Sequence, residues 1–155
     1  MIPRWYTQKL VGPKAKHESV DDPQAAKVYA MEREIVGTSI NMHMLPERLQ
    51  EIASHACRKA KVEDCPVFVE ASRERIFGET YADRVVLNSA CHGDNIVVLL
   101  HELAHWITDR QYEDVTSHGP TFMRVYSGLL EQYRVLPRDC LAVLAARYGV
   151  EIGVE

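Results

Sequence analysis

The chain reads as an α+β protein in which helices are followed by a small sheet and then by more helices. Three observations point there. Apolar residues recur at helical spacing over 96–107 and again over 122–133. Two short apolar runs, Val67-Phe68-Val69 and Arg84-Val85-Val86-Leu87, lie between Pro66 and Asn88 with Gly78 between them. At 155 residues, 46% apolar and 26% charged, the chain has the length and composition of one globular domain with its own core.

The elements follow in order. Residues 1–20 mix Pro3, Gly12, Pro13 and charges without a period, and read as an irregular arm ahead of one domain over 21–155. Asp22 offers an N-cap and Pro23 a first turn, with Gly37 as the stop. Ala26, Tyr29, Ala30, Arg33 and Val36 give the intervening helix its amphipathic face. A second helix starts near Pro46, carries Leu49, Ile52, Ala53 and Ala56, and ends around Lys61. The two apolar runs predict strands, and Arg75 to Tyr81 predicts a third. Asp94 or Asn95 caps the next helix, whose stripe is Ile96, Leu100, Leu103 and Ile107 and which ends near Arg110. A loop over 111–119 leads to a helix opened by Pro120, carrying Phe122, Tyr126, Leu129 and Tyr133. Pro137 starts the last helix, with Leu141, Leu144 and Tyr148 on one side and Gly149 at its end.

Residues 101–105 read His-Glu-Leu-Ala-His inside the apolar helix. Two histidines four apart project from one helix face, so both imidazoles reach one Zn²⁺, and Glu102 lies close enough to take a proton from a water activated there. A catalytic zinc keeps three protein ligands and one open place. Glu113, Asp114, His118 and Glu131 are the downstream candidates for the third. His118 is the best of them, because Gly119 and Pro120 make a rigid junction between it and the following helix. Asp109, four after His105, is a candidate partner for a ligand imidazole. Tyr81, Tyr112 and Tyr126 are candidate oxyanion donors. Cys91-His92 read as loop residues, and His17, His43 and His55 fall in no pattern.

The His-Glu-x-x-His helix, followed after a loop by His118-Gly119-Pro120-Thr121-Phe122, resembles the SprT-like zinc metalloproteases, the group that includes Spartan. The resemblance spans about residues 66–126. It implies a zincin-like core, with a small, mainly antiparallel sheet packed on the metal-binding helix and further helices at both ends. It also implies zinc held by His101, His105 and His118, with Glu102 as the catalytic glutamate of a peptidase. Zincins bind extended peptide along a sheet edge, and the strand near Arg84 to Asn88 is the expected edge.

Three neutral imidazoles on zinc bring a coordinated water's pKa toward ~7, and Glu102 then serves as general base in peptide hydrolysis. Two other readings stand beside this one. In the first, the zinc is structural, in a non-catalytic module such as a phage assembly or virion component. In the second, the peptidase acts on a regulator and the N-terminal helices dock a partner. The expected partner is a protein or peptide substrate. DNA association follows from the resemblance alone, since the net charge of −4 gives it no electrostatic support. No stretch is apolar enough to span a bilayer or serve as a signal peptide, which makes the cytoplasm the expected compartment. Cys57, Cys65, Cys91 and Cys140 form no C-x-x-C pair and read as reduced thiols packed as small apolar groups.

Overall fold

A computed structural model describes residues 22–38, 43–113 and 115–154. The predicted arm over 1–20 and Asp114 lie outside the described residues. Among the described residues five helices, α1 (Ala25–Thr38), α2 (Pro46–Ala60), α3 (Ile96–Gln111), α4 (Pro120–Gln132) and α5 (Arg138–Tyr148), surround a sheet of β1 (Val67–Glu70), β2 (Gly78–Thr80) and β3 (Val85–Asn88). A short 3₁₀ turn, Ser89–Cys91, leads out of β3.

Helix α3, which carries His101 and His105, is central to the core. Every residue of α3 from Ile96 to Thr108 is buried, as expected of a helix apolar on all sides. Asn95 caps it, its side chain accepting from the Val98 N–H at 3.0 Å. Trp106 is buried among its neighbours and donates from Nε1 to the Glu63 carbonyl. From α4, Phe122, Met123, Tyr126, Leu129 and Leu130 complete one wall, and Leu49, Ile52, Ala53, Ala56 and Cys57 of α2 complete another.

The sheet order is β1-β3-β2, with β1 parallel and β2 antiparallel to β3. The sheet is therefore mixed rather than mainly antiparallel. After β1 the chain crosses past the place β3 will take, runs back as β2, and turns into the middle. This topology also overturns the expected peptide-binding edge. Val85–Asn88 is the central strand, buried along its length, and β2 is the edge strand next to α3. Gly78 lets β2 come this near: a Cβ there would lie 3.2 Å from Cγ of Glu102.

Asn88 fastens the loop ahead of β2. Its Nδ2 donates to the carbonyls of Ser72, Glu74 and Ile76, and its Oδ1 accepts from Ser72 and Ala90 N–H groups. Gly93 closes the same corner, where a Cβ would fall 2.0 Å from the Phe77 carbonyl oxygen.

Helix α1 departs from expectation in two ways. Its core-facing residues are Val28, Met31, Glu32 and Ile35, one position off the anticipated stripe. Ala26, Tyr29, Arg33 and Val36 line a cavity instead. Asp22 precedes the helix, and its carbonyl accepts from Ala25 N–H at 3.3 Å, while its carboxylate reaches His118. The helix runs through Gly37 to Thr38. At the other end of the chain, Gly149 ends α5 in the left-handed conformation as expected, at φ 69°.

Candidate metal centre

His101 and His105 stand one turn apart on α3, and His118 comes from the turn that opens α4. All three are buried. Nε2 of His118 lies 3.2 Å from Nε2 of His101 and 3.1 Å from Nε2 of His105. Three placements fix the His118 turn. Gly119 N–H bonds the Thr116 carbonyl at 3.1 Å, Pro120 starts α4, and the Gln24 side chain donates to the His118 carbonyl at 2.8 Å. Gln24 also pairs with both backbone groups of Glu151, tying the segment after α5 to the same place.

Two carboxylates from the N-terminal part of the chain orient the rings. His101 donates from Nδ1 to Glu32 of α1, and His118 donates from Nδ1 to Asp22 at 2.6 Å. Tyr126 donates its hydroxyl to the same Glu32 oxygen at 3.1 Å. Burial and the neighbouring Glu32 push the Tyr126 phenol well above its usual range, so it stays a donor. Burial alone would lower His101, but Glu32 outweighs it and raises the imidazole above its ordinary value.

These bonds decide what the cluster can hold. With Nδ1 of His101 and of His118 committed as donors, each Nε2 presents a lone pair, and the two lone pairs face each other across 3.2 Å. Such an arrangement is relieved either by a proton shared between the facing nitrogens or by a metal ion among them. A tetrahedral ion with metal–nitrogen bonds of about 2.05 Å sets its donors about 3.3 Å apart, close to the spacing found. The three histidines can hold a metal ion, and no other group of three metal-ligating side chains comes together among the described residues.

Around the cluster the rings close on two sides. Phe122 packs against all three imidazoles, with centroids at 5.1, 4.4 and 5.0 Å from His101, His105 and His118. Tyr29 covers the other side, at 5.6 Å from His101 and 4.9 Å from His118. Glu102 is buried, and its carboxylate accepts from Thr80 Oγ1 of β2 at 2.6 Å. A cavity of about 970 Å³ reaches His101 and Glu102, walled by α1 on one side and by residues 75–78 on the other.

Of the residues marked from sequence, His101, His105 and His118 come together and Glu102 adjoins them. Glu113 is exposed away from the cluster, and Glu131 is exposed and bonded to Arg138. Asp109 lies one turn beyond His105 at the half-buried end of α3. The three candidate tyrosines point elsewhere: Tyr126 to Glu32, Tyr81 to Glu79, and Tyr112 to Arg124. The tyrosine that lines the cavity is Tyr29. His43 and His92 meet at the cavity rim, their centroids 5.4 Å apart, and His55 bonds Tyr133. All four cysteines are free thiols. Cys57 and Cys65 are buried as anticipated, whereas Cys140 is exposed.

Sequence reasoning missed Glu32 and Asp22. The signal for Glu32 was a carboxylate set among Val28, Met31 and Ile35 on an apolar face, where an acid needs a partner. Comparison with known proteins adds no relative: no family model, no curated protein and no solved structure matches the chain. Among the described residues no helix is long and apolar enough to cross a membrane.

Proposed function

We propose that this chain is a metal-dependent hydrolase, and more particularly a zinc metallopeptidase with a zincin-like core. One observation carries the reading. Glu102, on the same helix as two of the three converging imidazoles, lines a cavity bounded by β2, one of the two edge strands of the sheet. The order of the His-Glu-x-x-His helix and the His118-Gly-Pro junction, which resembles the SprT-like proteases, supports the same conclusion.

Zinc, when bound by His101, His105 and His118, acts as a Lewis acid toward water and a carbonyl oxygen. The chain's own residues supply the rest. Thr80 holds the Glu102 carboxylate toward β2, where it accepts the proton of an attacking water and returns it to the leaving amine. Glu32 and Asp22 keep His101 and His118 in the tautomer that presents Nε2 inward. β2 offers an extended peptide a strand to lie along, in place of the central strand first expected. Tyr29 and Phe122 shield the imidazoles from bulk water.

The structural-zinc reading requires a fourth protein ligand in place of water. Among the described residues the cluster has three, and the cavity meets it at His101, which favours the catalytic reading. The test is cleavage of casein or of the chain itself by zinc-loaded protein, with and without a chelator. Chelator-sensitive cleavage that Glu102→Gln abolishes supports the peptidase. Bound zinc without cleavage of any protein substrate overturns it in favour of the non-catalytic module.

A further inference from the structure

The cavity is lined by charges of both signs, and they differ in how they are engaged. The protein carries a net charge of −4. Of the acids that line the cavity, Glu32 is engaged by His101 and Tyr126, and Glu102 by Thr80. The remaining charged lining residues are Arg33, on the α1 wall, and Arg75, on the wall leading into β2. Both are exposed, and neither forms an ion pair with a described residue. Asn88 holds the backbone on either side of Arg75 in place through the carbonyls of Glu74 and Ile76, so this cation is presented from a fixed wall.

We propose that the cavity selects acidic peptide segments, with Arg33 and Arg75 receiving aspartate or glutamate side chains on either side of the bond to be cut. The proposal rests on reading the cavity as the substrate cleft of the hydrolase. Arg33 follows Tyr29 by one helical turn, a rise of about 6 Å, and Tyr29 stacks on His101. An extended peptide advances about 3.3 Å per residue, which places the acidic side chain about two residues from the scissile bond. Tyr29 and Phe77, 44% and 40% exposed, line the same cleft and offer apolar contact to the residues between. Two isolated guanidinium groups beside aromatic walls suit a peptide better than a nucleic-acid strand. A strand would need a longer basic track and would meet a chain that is negative overall.

The experiment measures binding to the zinc-loaded Glu102→Gln protein, so that recognition is read apart from cleavage. Two fluorescent peptides are compared, identical except that glutamates flanking the central bond are replaced by glutamines. The glutamate peptide is expected to bind about 5- to 10-fold tighter at low salt, the combined effect of two partly exposed ion pairs. The ratio is expected to fall toward about 1 in high salt and below 1 in an Arg33→Glu, Arg75→Glu variant. Arg33→Gln with Arg75→Gln serves where the double reversal does not fold. Equal binding of the two peptides, or a ratio unmoved by these substitutions, overturns the proposal. So does tighter binding of a single-stranded oligonucleotide of the same charge. Cleavage of both peptides at equal rates by the native chain sinks acidic selection alone. Selective binding without cleavage keeps acidic selection and sinks the hydrolase reading.

Discussion

Nδ1 of His118 donates to the carboxylate of Asp22 at 2.6 Å, across 96 residues of chain. With its counterpart between Glu32 and His101, this bond ties α1 and the residues just ahead of it to the three-histidine cluster. The chain ahead of the sheet carries no catalytic motif of its own, yet it sets which nitrogen two of the clustered histidines present.

Loss of either carboxylate is expected to weaken the metal site without emptying it. Glu32→Gln and Asp22→Asn each lower zinc affinity by about 10- to 100-fold, the usual cost of removing an outer partner from a ligand histidine. Competition with a chelating dye reads the change directly. Affinities within about twofold of the parent would show that the two carboxylates do not tune the ligands.

Substitution of Glu102 by Gln keeps its shape and its bond to Thr80 while removing the carboxylate proposed as the base. Zinc content is expected to stay at the parental level. Turnover is expected to drop by about 10²- to 10⁴-fold, the range for general-base catalysis. Parallel metal analysis and casein cleavage check both halves, and parental activity would remove Glu102 from its assigned role.

Two glycines are expected to respond in opposite senses. Gly93→Ala places a Cβ 2.0 Å from the Phe77 carbonyl and forces the corner below the cleft to open. A loss on the order of 3 kcal/mol is expected, from overpacking against backbone. Gly37 lies in helix α1, and a methyl group added there would meet nothing within 4 Å. Gly37→Ala is therefore expected to gain about 0.5–1 kcal/mol. Urea midpoints of the two variants test the contrast.

The thiols give a pH signature. Burial pushes the Cys57 thiol up from 9.0 to about 11. Its folded pKa exceeds its unfolded one, so its contribution to stability is whole below pH 9. That contribution is lost progressively as pH rises toward about 11. At pH 8 a thiol reagent is expected to label Cys140 at once, and to reach Cys57 and Cys65 only on unfolding. Rapid labelling of all four in the native protein would contradict this core.

The histidine cluster was legible in the sequence because its geometry is local. His101 and His105 need only one helix, and His118 needs only the Gly-Pro junction beside it. Glu32 and Asp22 were hidden because nothing local joins them to their partners. They meet the imidazoles only when α1 packs on α3 and α4. The α1 stripe was misread by one position because the helix carries two weak apolar faces, one turned to the core and one to the cleft. Strand direction was equally obscure. Alternation of side chains marks a strand, but only the crossing of the chain past β3 makes β1 run parallel to it.

The zinc content of the purified chain, measured beside that of His118→Ala, tests the three-histidine site most directly. About one zinc per chain is expected in the parent, with affinity lost by orders of magnitude in the variant. A parent that takes up no zinc, or a variant that holds it as tightly, would contradict the site.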